Sequence, residues 1–150
     1  MKSLFNAIDN NEIIGRIEKL SPSSRAIWGK MSVSQALQHC QQPLKVAFGE
    51  LKLKRSLLGV LFGKTYRKKL TADDQPFPRH SPTDKKFIVK DEPDFDLAKT
   101  KLILLVRKFA EKGPEGISKN VHPFFGHMTV HEWNKLMYKH LDHHLRQFGV

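Results

Sequence analysis

A disulfide framework within the chain is excluded by arithmetic, because the 150 residues contain one cysteine, Cys40. The same count removes any zinc site built on several cysteines. Long apolar runs are missing as well. LILLV and SLLGVLFG are the longest, far short of the roughly 18 consecutive apolar residues that a membrane span requires. The opening MKSLFNAIDNNE turns polar too early to complete a secretory apolar region. With a lone free thiol, this sets the expectation of a reduced, cytoplasmic setting with no membrane partner. Acidic residues are scarce, 15 against 26 Lys and Arg, for a formal net charge of +11. The deficit is local: from Leu51 to Leu70 there is no acid, but Lys52, Lys54, Arg55, Lys64, Arg67, Lys68 and Lys69 are present. Such a segment is either a solvated face or an attractor for phosphate, nucleic acid or an anionic small molecule. No interleaved aromatic platform, finger motif or helix-turn-helix pattern supports the nucleic-acid option.

What is present is helical periodicity, in a length that predicts one domain over residues 1–150. DNNEIIGRIEKL places Ile13, Ile14, Ile17 and Leu20 at helical spacing, with Asp9 expected as N-cap and Glu12 three positions on. Ser32 and Gln35 form a capping box for a second helix, which Pro43 is expected to kink or end. RSLLGVLFGKTYRKKL reads as one or two short helices broken near Gly63. Residues 71–94 carry Pro76, Pro78, Pro82 and Pro93 with little periodicity. An ordered excursion over one end of the bundle is expected there, with a short extended piece at KFIVK. DFDLAKTKLILLVRKFAEKG has acids at its start and Lys and Gly at its end, as the helix dipole and C-cap preferences require. Thr129 and Glu132 cap a last helix that runs to Phe148. Four substantial helices without a strand pair predict an all-α bundle, with extra short helices and the proline-containing loop between the second and third.

Three of the eight histidines fall within HLDHHLRQF, residues 140–148. Helical geometry, at about 100° per residue, sorts them. With His140 at zero, Trp133, Met137, Phe148 and Leu141 span about 20–100°, and His144 at about 40° lies inside that apolar stripe. His143 at about −60° and His131 at about 180° point elsewhere, and Asp142 at about 200° is expected to face solvent. Gln147, at about −20°, is placed to orient a ligand histidine. An i, i+4 pair can ligate one metal ion, but it can equally be a pair satisfied by hydrogen bonds. Leu141 occupies the place of the glutamate that a metalloprotease motif needs, which excludes that chemistry. A third ligand has to come from a facing helix. His39 is the one histidine within another long helix, on the flank of its apolar stripe, where an ordinary boundary histidine also fits. Cys40, adjacent to it, diverges by about 100° and reads as core. His122 and His127 lie in a loop that either packs or overhangs a site.

WGKMSVSQALQHC, HPFFGHMTVHEW and YKHLDHHLRQF together resemble the DinB/YfiT-like superfamily, over nearly the whole chain. The resemblance implies a DinB-like four-helix bundle holding a divalent metal, nickel or zinc, on three histidines. Carried over to this sequence, those are His39, His140 and His144. It further implies a metal-dependent enzyme, such as a small-thiol-dependent S-transferase or a metal-assisted hydrolase, acting on a small molecule, and it allows a homodimer. Basic segment 52–69 and Arg79 would then attract an anionic substrate. No catalytic residue is assigned. The alternative is a non-catalytic module whose basic face binds an anionic ligand or nucleic acid.

Overall fold

The apolar spacing translates directly into helices. The computed structural model describes residues 2–81, 83–117 and 121–150. Among these there are five α-helices and no strand: α1 (Ala7–Glu18), α2 (Val33–Ala47), α3 (Leu57–Thr71), α4 (Phe95–Lys112) and α5 (Val130–Gln147). Short 3-10 turns occupy Lys85–Phe87 and Pro114–Gly116, and an isolated antiparallel bridge joins His122 to Gly126. Ile13 and Ile17 of α1, Leu37 and Leu44 of α2, Leu102, Val106 and Phe109 of α4, and Met137 and Leu141 of α5 are buried in one common core. The expected fifth element of small extent is instead a full helix, α3, which packs on α5 outside that core.

Side-chain caps start every helix, though not always where expected. Ser32, Asp94 and Thr129 cap α2, α4 and α5, and the capping boxes with Gln35 and Glu132 are complete. α1 begins three residues earlier than its apolar pattern indicates. Asn6 is the N-cap, accepting from the amides of Ile8 and Asp9, and Asp9 instead accepts from the amide of Ser3. Pro43 does not end α2, which continues to Ala47. The lost amide donor is outweighed by burial of Leu44, Val46 and Ala47 beyond it, each at most 1% exposed.

α3 is likewise unbroken at Gly63, and the structure gives the reason for its glycines. Gly59 and Gly63 are its buried residues, and a Cβ at Gly59 would lie 2.6 Å from the carbonyl oxygen of Phe124. At Gly63 the clash with the same oxygen is more severe. The backbone of α3 thus lies directly on the backbone of the Pro123–Phe125 loop, an approach that only glycine permits. The amide of Ser56 donates to the carbonyl of Pro123 at 3.0 Å and anchors the start of the helix.

The described residues of segment 71–94 run along α5 and α2; Pro82 lies outside the described residues. Lys139 donates to the carbonyls of Leu70 and Asp73, Lys135 pairs with Asp74 at 2.9 Å, and Glu92 accepts from the Ser32 hydroxyl. At KFIVK the chain forms the 3-10 turn, not an extended piece, before Ile88 straightens it. Phe87 is buried there, which the turn achieves by directing its ring into the core.

Gly63→Ala is expected to destabilise the chain by about 1–3 kcal/mol, because overpacking against backbone cannot relax. Gly15→Ala, in α1 with nothing within 4 Å of the added methyl, is expected to stabilise by about 0.5–1 kcal/mol. Urea unfolding of both variants checks the opposite signs.

Candidate metal centre

α5 is surrounded by α1, α2 and α3, so side chains on several of its faces are buried. The face toward α2 carries His140 and His144, and α2 contributes His39. Their rings form a nearly equilateral triangle, with centroid separations of 4.9 Å for His39–His140 and 4.8 Å for both other pairs. One ring nitrogen from each lies within 4.8 Å of the others. The sequence-predicted trio therefore meets. His39 is more deeply placed than a flank position suggests, at 3% exposed, because Phe87 from the excursion covers it. His140 is half-buried and forms the edge nearest solvent.

The hydrogen bonds around the triangle assign its protons. His39 Nδ1 lies 2.9 Å from the carbonyl oxygen of Phe87. A carbonyl only accepts, so Nδ1 carries the hydrogen and Nε2 is a bare lone pair. Gln147 Nε2 donates to the carbonyl of Trp28 at 2.7 Å, which turns its Oε1 toward His144 Nδ1 at 2.8 Å. His144 Nδ1 therefore donates, and its Nε2 is bare as well. The bare His39 Nε2 stands 3.0 Å from His140 Nε2, a contact that needs a proton or a cation between the two nitrogens. This donor set fits a divalent metal: neutral imidazoles, each of two held by a partner on the far nitrogen.

Burial drives all three histidines toward the neutral, ligating form. It holds His39 below its ordinary value, partly opposed by the Phe87 carbonyl. It takes His140 well below, assisted by neighbouring imidazoles, and His144 to about 3. No carboxylate joins the cluster among the described residues.

The other candidates separate cleanly. His143 packs its ring against Trp28, Phe77 and His144 but lies outside the triangle. His122 is buried, and its Nδ1 accepts from the amides of Phe124 and Phe125 at 3.1 Å, closing the loop under α3. His127 and His131 are exposed. Cys40 is a core thiol whose pKa burial raises. Arg79 is stacked over Trp28, 4.4 Å from the ring centroid. Asp142 is not solvent-facing as expected. It is buried between Arg16 and Arg146, at 2.8 Å from each, because α1 also packs on α5 and brings Arg16 to it. Sequence reasoning missed the backbone supports. The Phe87 carbonyl has no signature, whereas Gly29 had one: at φ +83°, a Cβ there would stand 2.5 Å from Gln147 Nε2.

The chain is thus an all-α protein with a buried cluster of three histidines. It belongs to the family described as Protein of unknown function (DUF1569), whose model matches residues 3–149. No curated protein and no solved structure matches it.

His122 and His144 have pKa values of about 3, below the roughly 6.5 of an unfolded chain. The unfolded state therefore binds more protons between those values, and stability present above about pH 6.5 is lost as pH falls toward about 3. For metal-stripped protein, the expected loss from pH 6.5 to pH 5 is about 2 kcal/mol for each such group. Urea unfolding across that range checks this, and His122→Gln should flatten the slope.

Proposed function

We propose that this protein is a divalent-metal-dependent enzyme whose metal is held by His39, His140 and His144. The observation that carries the proposal is the pair of bare Nε2 lone pairs, on His39 and His144, turned toward a third imidazole in a buried site. Uncompensated lone pairs do not gather in a protein interior without a cation or proton to hold them. Nickel or zinc suits an all-imidazole donor set, and the DinB/YfiT-like resemblance of the two histidine motifs supports the same ions.

A divalent ion on three neutral ligands supplies Lewis acidity, lowering the pKa of a thiol or water that completes its coordination. The chain's own groups do the rest. Phe87 and Gln147 fix which nitrogen of His39 and His144 faces the ion. His140 is the least buried of the three, so substrate would approach on its side. With no carboxylate among the three histidines, the site would favour an anionic partner, a thiolate or a hydroxide. The DinB/YfiT-like resemblance favours the small-thiol-dependent S-transferase, with a metal-assisted hydrolase as the second reading.

Metal content after reconstitution with nickel or zinc and exhaustive dialysis tests the proposal. One equivalent is expected for the wild-type chain and for His143→Ala, against trace amounts for His39→Ala and His144→Ala. Gln147→Met should weaken affinity about 10–100-fold, as loss of a ligand's supporting hydrogen bond does. Wild-type protein that retains only trace metal would overturn the proposal. Proton release on adding glutathione to loaded protein at neutral pH is the expected sign of thiol activation, and its absence would favour the hydrolase.

A further inference from the structure

α3 buries its backbone and leaves its side chains out. Of the twelve large hydrophobic residues that are exposed among the described residues, six belong to this helix: Leu57, Leu58, Val60, Leu61, Phe62 and Tyr66. Leu57 is 85% exposed and Leu61 71%. This concentration follows from the glycine contact, since the inward face of α3 is Gly59 and Gly63 lying on the Phe124 backbone. With Leu57 at zero on the helical wheel, Gly59 and Gly63 lie at about 200–240°. Leu57, Leu61 and Leu58, at about 0–100°, point the opposite way. The outward arc changes character along the axis. Its first two turns are apolar, and its last two carry Lys64, Lys68 and Lys69. Lys52 and Lys54 lie just ahead of the helix.

Charge decides what such a face is built to meet. No carboxylate among the described residues pairs with Lys52, Lys54, Lys64, Lys68 or Lys69. Arg67, by contrast, is engaged by Glu132 at 3.1 Å, on the side toward α5. A second copy docked through the same face by two-fold symmetry would bring its lysines against these, with no acid from Leu51 to Leu70 to offset them. Nucleic acid would meet the charge but leave the leucines in water. An anionic bilayer surface satisfies both: apolar side chains enter the acyl boundary, and lysines reach the headgroups with their stems along the apolar zone. Among the described residues no helix is long and apolar enough to cross a membrane, so the contact is with the surface.

We propose that α3, with the lysines that precede it, is a docking element for anionic phospholipid membranes, seated by Leu57, Leu58, Leu61 and Phe62. This departs from the sequence expectation of no membrane partner, which rested on the lack of a spanning segment. The seating is independent of the histidine cluster.

Cosedimentation of the full chain with vesicles tests it, comparing phosphatidylcholine alone with an equal mixture of phosphatidylcholine and phosphatidylglycerol. At about 0.1 M salt, where the screening length is about 10 Å, at least tenfold stronger partitioning to the anionic vesicles is expected. Leu58→Gln/Leu61→Gln keeps the charge and should reduce that binding at least tenfold. Lys64→Gln/Lys68→Gln/Lys69→Gln keeps the apolar face and should remove the preference for anionic lipid. All these side chains are exposed, so unchanged circular dichroism and melting temperature are expected and show that the variants fold. Three results would overturn the proposal. One is equal or no binding to the two vesicle types. Another is full retention of binding by the leucine variant. The third is a stable dimer in sedimentation equilibrium that the leucine variant converts to monomer, since a second copy would then cover the face.

Discussion

Nitrogen lone pairs directed at a common point repel one another, and burial limits the hydration that would relieve them. That constraint organises much of what surrounds the histidine triangle. Two of its three imidazoles have a fixed tautomer, each set by an acceptor that cannot change roles: the Phe87 carbonyl for His39, and the Gln147 oxygen for His144. The Gln147 amide is in turn oriented by Trp28, and its room is secured by the missing side chain of Gly29. The amide of Ile27 also donates to the Gln147 carbonyl at 2.8 Å, so the α1–α2 connection closes on the end of α5. Connection and excursion alike converge on a cluster whose three histidines come from helices. A cation held at the centre would turn the mutual repulsion into coordination, and the supports would then serve to aim the three imidazoles.

The same helix that presents two of the histidines is held on its other sides by polar contacts. Asp142 is clasped by Arg16 of α1 and by Arg146, Asn134 accepts from the Leu4 amide at 2.9 Å, and Lys139 reaches the carbonyls of Leu70 and Asp73. These bonds are directional where apolar packing is not, so they specify one orientation of α5 in a core that tolerates several. Buried charge of this kind adds little net stability but penalises alternatives.

Much of this was legible in the residues. The i, i+4 spacing of His140 and His144, their position on the apolar stripe, and the capping boxes at Ser32 and Thr129 all follow from helical periodicity, which the structure reproduces. Gln147 fell on the ligand side by the same count. Periodicity failed where a backbone, not a side chain, made the decisive contact. Gly63 looked like a helix break because its role is defined by the Phe124 carbonyl, a partner 61 positions away in the chain. Asp142 looked solvent-facing because one stripe of a helical wheel cannot reveal that a second helix packs behind it. His39 could not be placed by pattern alone, since Phe87, which buries it, lies in a segment without periodicity. α3 was read as short because its apolar residues do not mark a core face. They point outward.

The Arg16–Asp142–Arg146 clasp makes α5 a keyed shaft. A helix turns about 100° for each residue inserted or deleted, so one residue gained between Glu132 and His140 would leave the Thr129 cap intact while rotating everything after it. Asp142 would swing off Arg16, and both imidazoles would swing off the triangle in the same step. The ion-pair register and the histidine register are therefore inherited together. Along this stretch the chain can exchange side chains freely at exposed positions such as His131, but it cannot change length.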